Sequence, residues 1–283
     1  WYPTVVFSPK SIREFLAYSS HLIGTGVLNA VYNNIYPMLI GKGYSTASVG
    51  FYTQAHRFQE IPSSLVATIF RSVAFPVLST INDEPERMIR IFGKYIRTIS
   101  FFIFPVMVLF IVIAEPLVLV LLSEKWAAAI PFLQRLCIAG AFSPFIILYY
   151  DLFNTIGRSD INLKTEIVKK ILLTVGICFG KGIIALIWLW VAYTLASLAA
   201  SMWLGQHFTS YRATRFVRDI IPCLLLSVFA GIIAWGVFLS CTSLLGRLIA
   251  PLLVFTVVYL LGTYTARVEI WKEFFKWKTE RNK

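Results

Sequence analysis

Three almost unbroken apolar runs, Phe101–Leu122, Ile183–Leu204 and Leu248–Leu261, constrain this chain more than any other feature. About 20 mostly apolar residues are what a helix needs to cross the hydrocarbon core of a bilayer. A transmembrane β-barrel is excluded, because its strands alternate apolar and polar residues instead of running apolar. Composition agrees: 58% of residues are hydrophobic and mean hydropathy is +0.73. Charged residues make up 14%, against roughly 25% in soluble domains. The expected fold class is therefore an all-α polytopic membrane protein.

Hydropathy places about eight crossings, at residues 15–40, 46–79, 95–122, 127–153, 163–180, 183–206, 217–240 and 245–266. The second is long and polar in its first half. The fifth is the weakest, since Lys164, Lys169 and Lys170 crowd its start, and the turn Gly180-Lys181-Gly182 separates it from the next run. Basic residues outside the spans alternate between heavy and light connections. Lys10 and Arg13 precede the first span, and Lys42 alone follows it. Arg87, Arg90, Lys94 and Arg97 then give way to Lys125; Arg158 and Lys164, Lys169 and Lys170 to Lys181; Arg212, Arg215 and Arg218 to Arg247. The tail carries Arg267, Lys272, Lys276, Lys278, Arg281 and Lys283. Cytoplasmic connections retain positive charge, so both termini are expected in the cytoplasm with an even number of crossings. This pattern also accounts for the net charge of +12: the basic residues are expected to face the inner membrane surface and its anionic lipids rather than nucleic acid. The tail segment Trp271–Lys278 mixes aromatics with lysines and reads equally as an interfacial helix or as the charged end of the last span.

Polar residues are concentrated in two stretches. The sequence GFYTQAHRFQEIPSS (residues 50–64) opens the second span. At about 100° per residue, Thr53, His56, Arg57, Glu60, Ser64 and Arg71 share a face. Arg57 and Glu60 are i,i+3 neighbours with the geometry to pair. Pro62 predicts a kink, because it has no N–H for the carbonyl of Phe58. The first span carries a matching stripe of Tyr18, His21, Thr25, Asn29, Tyr32 and Tyr36, with Asn33 at its edge and Pro37 ending or bending the helix. Ionisable groups facing lipid are costly, so both stripes are expected to face inward or onto water. Hydrogen bonding that merely holds neighbouring helices together is the alternative. Asp151 lies near the cytoplasmic end of the fourth span and is compatible with a simple interfacial position.

Other chemistry is not indicated. Cys137, Cys178, Cys223 and Cys241 sit in or beside apolar segments without metal-ligand spacing and read as small buried hydrophobes. No phosphate-binding GxxxxGK[ST] loop, HExxH or GxSxG appears. No cofactor, no metal and no enzymatic activity are expected. Short outer connections with kinked, polar-faced helices suit a transporter better than a membrane ligase.

Tyr32-Asn-Asn-Ile-Tyr-Pro-Met-Leu-Ile-Gly-Lys42, followed by Val49-Gly-Phe-Tyr-Thr-Gln-Ala-His-Arg-Phe-Gln-Glu-Ile-Pro62, resembles the polysaccharide transport family of bacterial flippases, the Wzx-type exporters of lipopolysaccharide and O-antigen units. That family belongs to the MOP superfamily of multidrug, oligosaccharidyl-lipid and polysaccharide exporters. Val73-Ala-Phe-Pro-Val-Leu-Ser79 and the turn Asn154-x-x-Gly-Arg-Ser-Asp160 resemble two further family motifs, and Trp1-Tyr-Pro…Phe7-Ser8 resembles the segment before the family's seventh helix. The resemblance implies a C-terminal portion: a cytoplasmic lead-in over 1–14, a six-helix lobe over 15–206, two additional helices over 207–266 and a basic cytoplasmic tail over 267–283. A start at Trp1 rather than Met fits a fragment whose first lobe lies elsewhere. It also implies a multi-pass protein of the bacterial inner membrane, whose partners are a polyprenyl-diphosphate-linked oligosaccharide and membrane lipids. Such carriers work by alternating access of two lobes around a central cavity. The residues expected to line it are His21, Thr25, Asn29, Asn33 and Tyr36 on the first span, and His56, Arg57, Glu60 and Arg71 on the second. In one respect the chain departs from many relatives: Ile35 and Tyr36 follow the Asn pair where an Asp is common. An ion-coupled drug exporter of the same superfamily and, from another class, a membrane glycan ligase or acyltransferase remain as alternatives.

Overall fold

The computed structural model describes residues 9, 16, 19–20, 22–31, 34, 38, 45–81, 84–179, 182–209 and 211–266. Every regular element among them is helical. The first, α1, is described over Leu22–Val31. There follow α2 (Thr46–Thr80), α3 (Pro85–Val112), α4 (Ala114–Leu122), a 3-10 turn (Glu124–Ala129), α5 (Ile130–Thr155), α6 (Ser159–Phe179), α7 (Ile183–Phe208), α8 (Ala213–Ser240) and α9 (Leu244–Thr265).

Local chemistry sets most of the boundaries. Ser45 caps α2, its hydroxyl accepting from the Ser48 N–H at 3.2 Å. Ser243 does the same for α9 through Gly246 at 3.1 Å. Pro85 opens α3 and Pro131 lies in the first turn of α5, where a missing N–H leaves no bond unmade. Gly157 and Gly182 carry the positive φ values, 73° and 95°, of the turns on either side of α6.

Six of the described helices are long and apolar enough to cross a membrane: α2, α3, α5 with its preceding turn, α7, α8 and α9. The expected count of eight is not reproduced in that set. Most of the 15–40 span, including Pro37, lies outside the described residues. The 163–180 span does form a helix, α6, but its charged first half keeps it out of the set. The 95–122 span begins ten residues early at Pro85 and is interrupted at Ile113, so that it comprises α3 and α4. Pro62 and Pro76 both lie within α2, which continues through them.

Helix α5 is the hub of the bundle, flanked by α2, α3 and α7. Its aromatic side chains interlock edge to face with those of its neighbours: Phe92 on Tyr149 at 5.2 Å and Phe145 on Phe216 at 5.4 Å between ring centroids. Helices α8 and α9 form a pair docked on α3. Asp219 of α8 accepts from Arg97 of α3 at 3.1 Å and from the Tyr211 hydroxyl at 2.6 Å, while Tyr259 of α9 donates to the Phe101 carbonyl at 2.9 Å. The outward surface is apolar, with Leu225, Ile232, Leu239 and Leu253 all exposed. A soluble domain does not display so much contiguous apolar area, whereas a bilayer covers it. Interior hydroxyls turn back on their own helices, as Ser100 does on Ile96 (2.7 Å) and Ser227 on Cys223 (2.7 Å). Without water at that depth, polar groups must be satisfied inside the protein.

Candidate functional site: a polar cavity within the bundle

A cavity of about 300 Å³ opens between α2, α5, α6 and α7, with Asn29 of α1 at its edge. Its α2 wall carries His56, Gln59, Glu60, Ser63 and Ser64. Helix α2 approaches α5 closely here because residue 140 is glycine. The Gln59 side chain lies over it, and the Ser63 hydroxyl, which accepts from Gln59 Nε2 at 2.9 Å, donates to the Gly140 carbonyl at 3.1 Å. His56 Nδ1 is 3.4 Å from Glu60 Oε2, and its ring meets Trp190 of α7 edge-on at 6.2 Å.

The opposite wall holds an ionic cluster. Glu166, Lys169 and Lys170 of α6 are 4%, 5% and 4% exposed. One carboxylate serves both ammonium groups: Lys169 Nζ lies 3.6 Å from Glu166 Oε1 and Lys170 Nζ 3.7 Å from Oε2. Tyr150 of α5 links them, donating its hydroxyl proton to Glu166 while accepting from Lys169 at 2.7 Å. The two ammonium groups also lie over aromatic faces, Lys169 over Tyr150 at 4.8 Å and Lys170 over Tyr193 at 5.3 Å. Asn162 anchors the start of α6 to α5, donating to the Tyr150 carbonyl (3.1 Å) and to Asn154 Oδ1 (2.9 Å). Glu166 Oε2 and Ser197 Oγ are buried without a hydrogen-bond partner, and both residues line the cavity. The cavity therefore offers cations, carboxylates, amides, hydroxyls and the aromatic rings of Trp190 and Tyr193. That set suits a hydroxyl-rich ring bearing an anionic group. No group of three or more His, Cys, Asp or Glu with metal-binding geometry occurs among the described residues.

The residues singled out from the sequence are distributed unevenly around this cavity. His56, Glu60 and Asn29 line it. Thr25 is half-buried on α1 and not part of its lining. His21, Asn33 and Tyr36 lie outside the described residues. The expected Arg57–Glu60 pair is replaced by His56–Glu60, because the i,i+4 spacing and the contact with Trp190 put His56 and Glu60 on the cavity side. Arg57 is exposed beside the cavity and enters no ion pair among the described residues. Arg71 is 3.2 Å from Asp151, whose side chain is 1% exposed and so buried inside the bundle. Neither arginine lines the cavity.

Sequence reasoning missed the α6 cluster. Lys169 and Lys170 were expected to face the inner membrane surface, yet both are buried in the bundle. The signal was present in the spacing: Glu166 precedes the lysines by three and four residues, so all three share one helix face.

Comparison with known proteins places this arrangement in context. The sequence profile of the family described as "Polysaccharide biosynthesis protein" matches residues 1–131. The teichuronic acid biosynthesis protein TuaB of Bacillus subtilis is 22% identical over 245 residues, covering 85% of this chain and 50% of that protein. The lipopolysaccharide biosynthesis protein WzxC of Escherichia coli is also 22% identical, covering 96% of this chain and 58% of its own length. A solved structure of the lipid II flippase MurJ in an inward closed conformation superposes with a TM-score of 0.72 at 17% identity, over 94% of this chain and 57% of MurJ. The two share a helical fold. The chain spans about half the length of the relatives it matches.

Proposed function

Taking as premise that the chain belongs to the polysaccharide-transport flippases of the MOP superfamily, we propose that the full-length protein moves a lipid-linked oligosaccharide from the inner to the outer leaflet of the bacterial inner membrane. The observation that carries this reading is the buried Glu166–Lys169–Lys170 cluster on the wall of a polar cavity. On insertion scales a lysine or aspartate at the centre of a membrane helix costs about 2.5–3.5 kcal/mol, and burial of charge is costly at any depth unless it is paired. Helix packing alone is served by neutral contacts such as Gln59–Ser63 and has no need of three charges. In this reading the cavity receives sugar rings on Trp190 and Tyr193 and an anionic group on the lysines.

The chain supplies the second lobe, residues 15–206, with α8 and α9 as additional helices. The relatives' greater length supports a first lobe outside this chain. With α1 and α6 counted as crossings beside the six apolar helices, the total is about eight, and both termini face the cytoplasm. A reporter active only in the periplasm, fused after Lys283, then gives no signal; a strong signal refutes that orientation. The exposed face of α2, carrying Arg57 and Glu60, looks toward the first lobe, and rocking of the two lobes exposes the cavity to each side in turn. The protein is thus a transporter rather than an enzyme. The test is deletion of the full-length gene. Lipid-linked oligosaccharide trapped on the inner leaflet, released by reintroducing the gene, is the expected result. Normal surface polysaccharide in the deletion strain excludes the reading.

A further inference from the structure

Glu115 is the one charged residue in the apolar run Phe101–Leu122. Helix α3, which precedes it, has 28 residues. At 1.5 Å per residue it is about 42 Å long, the thickness of a bilayer with its headgroups. The break at Ile113, with Glu115 just beyond it, therefore falls at the membrane surface opposite Pro85. Two other helix ends meet there, the start of α5 at Ile130 and the end of α8 at Ser240. Between them lies a cavity of about 340 Å³, lined by Glu115, Gln134 of α5, and Trp235 and Phe238 of α8 among apolar side chains. Trp235 and Phe238 stack with ring centroids 5.2 Å apart. Gln134 Nε2 donates to the Ile111 carbonyl at 3.3 Å, which leaves the amide oxygen to accept. Arg247, in the first turn of α9, stands beside the cavity. Its Nη1 is 3.6 Å from Glu115 Oε1, its Nε donates to the Cys241 carbonyl at 2.9 Å, and its guanidinium lies over the Phe238 ring at 5.3 Å.

We propose that this cavity binds the headgroup of phosphatidylethanolamine, its ammonium on Glu115, Gln134 and Trp235 and its phosphate on Arg247. The site carries one charge of each sign at headgroup level, and this headgroup is a zwitterion whose ammonium and phosphate are two carbons apart. At 3.6 Å Glu115 and Arg247 attract each other without a hydrogen bond, and both are partly exposed, so each keeps capacity for a ligand. An exposed pair of this kind adds little to stability, so joining α9 to α4 does not account for a carboxylate in an apolar run. A carboxylate beside an aromatic face is suited to an ammonium group, and a guanidinium to a phosphate. Other common headgroups fit less well. Choline has no N–H to give to Glu115 or Gln134. Glycerol has no cation, and phosphatidylglycerol brings a net negative charge towards Glu115. The binding chemistry does not depend on what the protein transports. In the orientation proposed above, the cavity lies opposite the basic connections and faces the outer leaflet.

The test uses delipidated full-length protein in detergent. Phosphatidylethanolamine, phosphatidylcholine and phosphatidylglycerol with identical acyl chains are offered together at equal concentration, and bound lipid is counted by native mass spectrometry. Wild type is expected to retain phosphatidylethanolamine over each of the others by about tenfold, the worth of one charge-assisted hydrogen bond. Glu115→Gln should abolish most of that preference, and Arg247→Gln should weaken retention of all three lipids. Trp235→Leu, at an exposed position, should reduce the preference while leaving the core intact. Equal retention of the three lipids by wild type overturns the proposal, whether or not the variants fold. An undiminished preference in Glu115→Gln also overturns it, and makes the Glu115–Arg247 contact a simple tie between α4 and α9. No transport enters the measurement. A missing preference therefore leaves the transport reading standing, and a protein that moves no oligosaccharide leaves the lipid site standing.

Discussion

The guanidinium Nε of Arg71 lies 3.2 Å from Oδ1 of Asp151, joining an exposed position on α2 to a fully buried one on α5. The contact is an ion pair rather than an aligned hydrogen bond, since neither Asp151 oxygen has a hydrogen-bond partner. A buried carboxylate left without its cation costs more than the pair contributes. Because the arginine side chain is 62% exposed, water screens part of the effect. Arg71→Ala is expected to destabilise the full-length protein by about 1–3 kcal/mol. Adding Asp151→Asn should restore most of the loss, as thermal unfolding in detergent will show. Equal stability of the single and double variants contradicts the pairing.

The approach of α2 to α5 depends on Gly140. A methyl group there would lie within 2.8 Å of three Gln59 side-chain atoms. Gln59 is buried and bonded to Ser63, so it has little room to retreat. Gly140→Ala is expected to cost about 1–3 kcal/mol, the usual penalty for overpacking. Shortening the obstructing side chain in Gly140→Ala/Gln59→Ala should recover part of it. An unchanged melting temperature in the single variant would count against the close contact.

The docking of α8 on α3 hinges on Asp219, which receives Arg97 and Tyr211 together. Both ionic partners are largely buried, with side-chain exposures of 21% and 11%. Asp219→Ala removes the carboxylate that receives both Arg97 and Tyr211 and is expected to cost about 3 kcal/mol. Tyr211→Phe removes one hydrogen bond and should cost about 1 kcal/mol. Unfolding of the two variants under identical conditions checks the ranking, and a larger loss for Tyr211→Phe would reverse it.

Much of the architecture was legible because hydropathy is a long-range signal. The apolar run at 183–206 became α7, and those at 217–240 and 245–266 became α8 and α9, each within a few residues. The break at Ile113 was missed although a signal stood there: Glu115 and Pro116 fall in the first turn of α4, where a carboxylate is favoured and a missing N–H leaves no bond unmade. For the cavity, helical periodicity correctly grouped His56 with Glu60 on α2. It misassigned the partner, because at i,i+3 Arg57 is as close to Glu60 in sequence terms as His56 is at i,i+4; the neighbouring Trp190 that settles the choice is 134 positions away in the chain. Lys169 and Lys170 were counted as membrane-surface charge for a related reason. Topology rules read charge by position along the chain, whereas burial of these lysines depends on Tyr150 and Tyr193 from two other helices.

Arg57 separates a structural role from a functional one cleanly, since it is exposed and makes no ion pair among the described residues. Arg57→Ala should leave stability within about 0.5 kcal/mol of wild type. If the α2 face meets the substrate or the first lobe, export of polysaccharide should nevertheless fall severalfold at normal membrane abundance. Arg57→Lys should recover only part of it, because Lys keeps the charge but loses the two-pronged grip on phosphate. Unchanged export in Arg57→Ala removes this residue from the site.

The central claim is that the cavity carries the polar head of a lipid-linked saccharide. The most direct measurement is transbilayer movement of the host's own lipid-linked oligosaccharide by the full-length protein in liposomes, comparing wild type with the triple variant Glu166→Gln, Lys169→Met, Lys170→Met. Removing the three charges together takes out both described ion pairs at once instead of breaking one of them, so the variant should fold and melt close to wild type. Its transport rate is expected to fall at least about tenfold, equivalent to about 1.4 kcal/mol. A folded triple variant that moves the oligosaccharide at the wild-type rate would contradict the account.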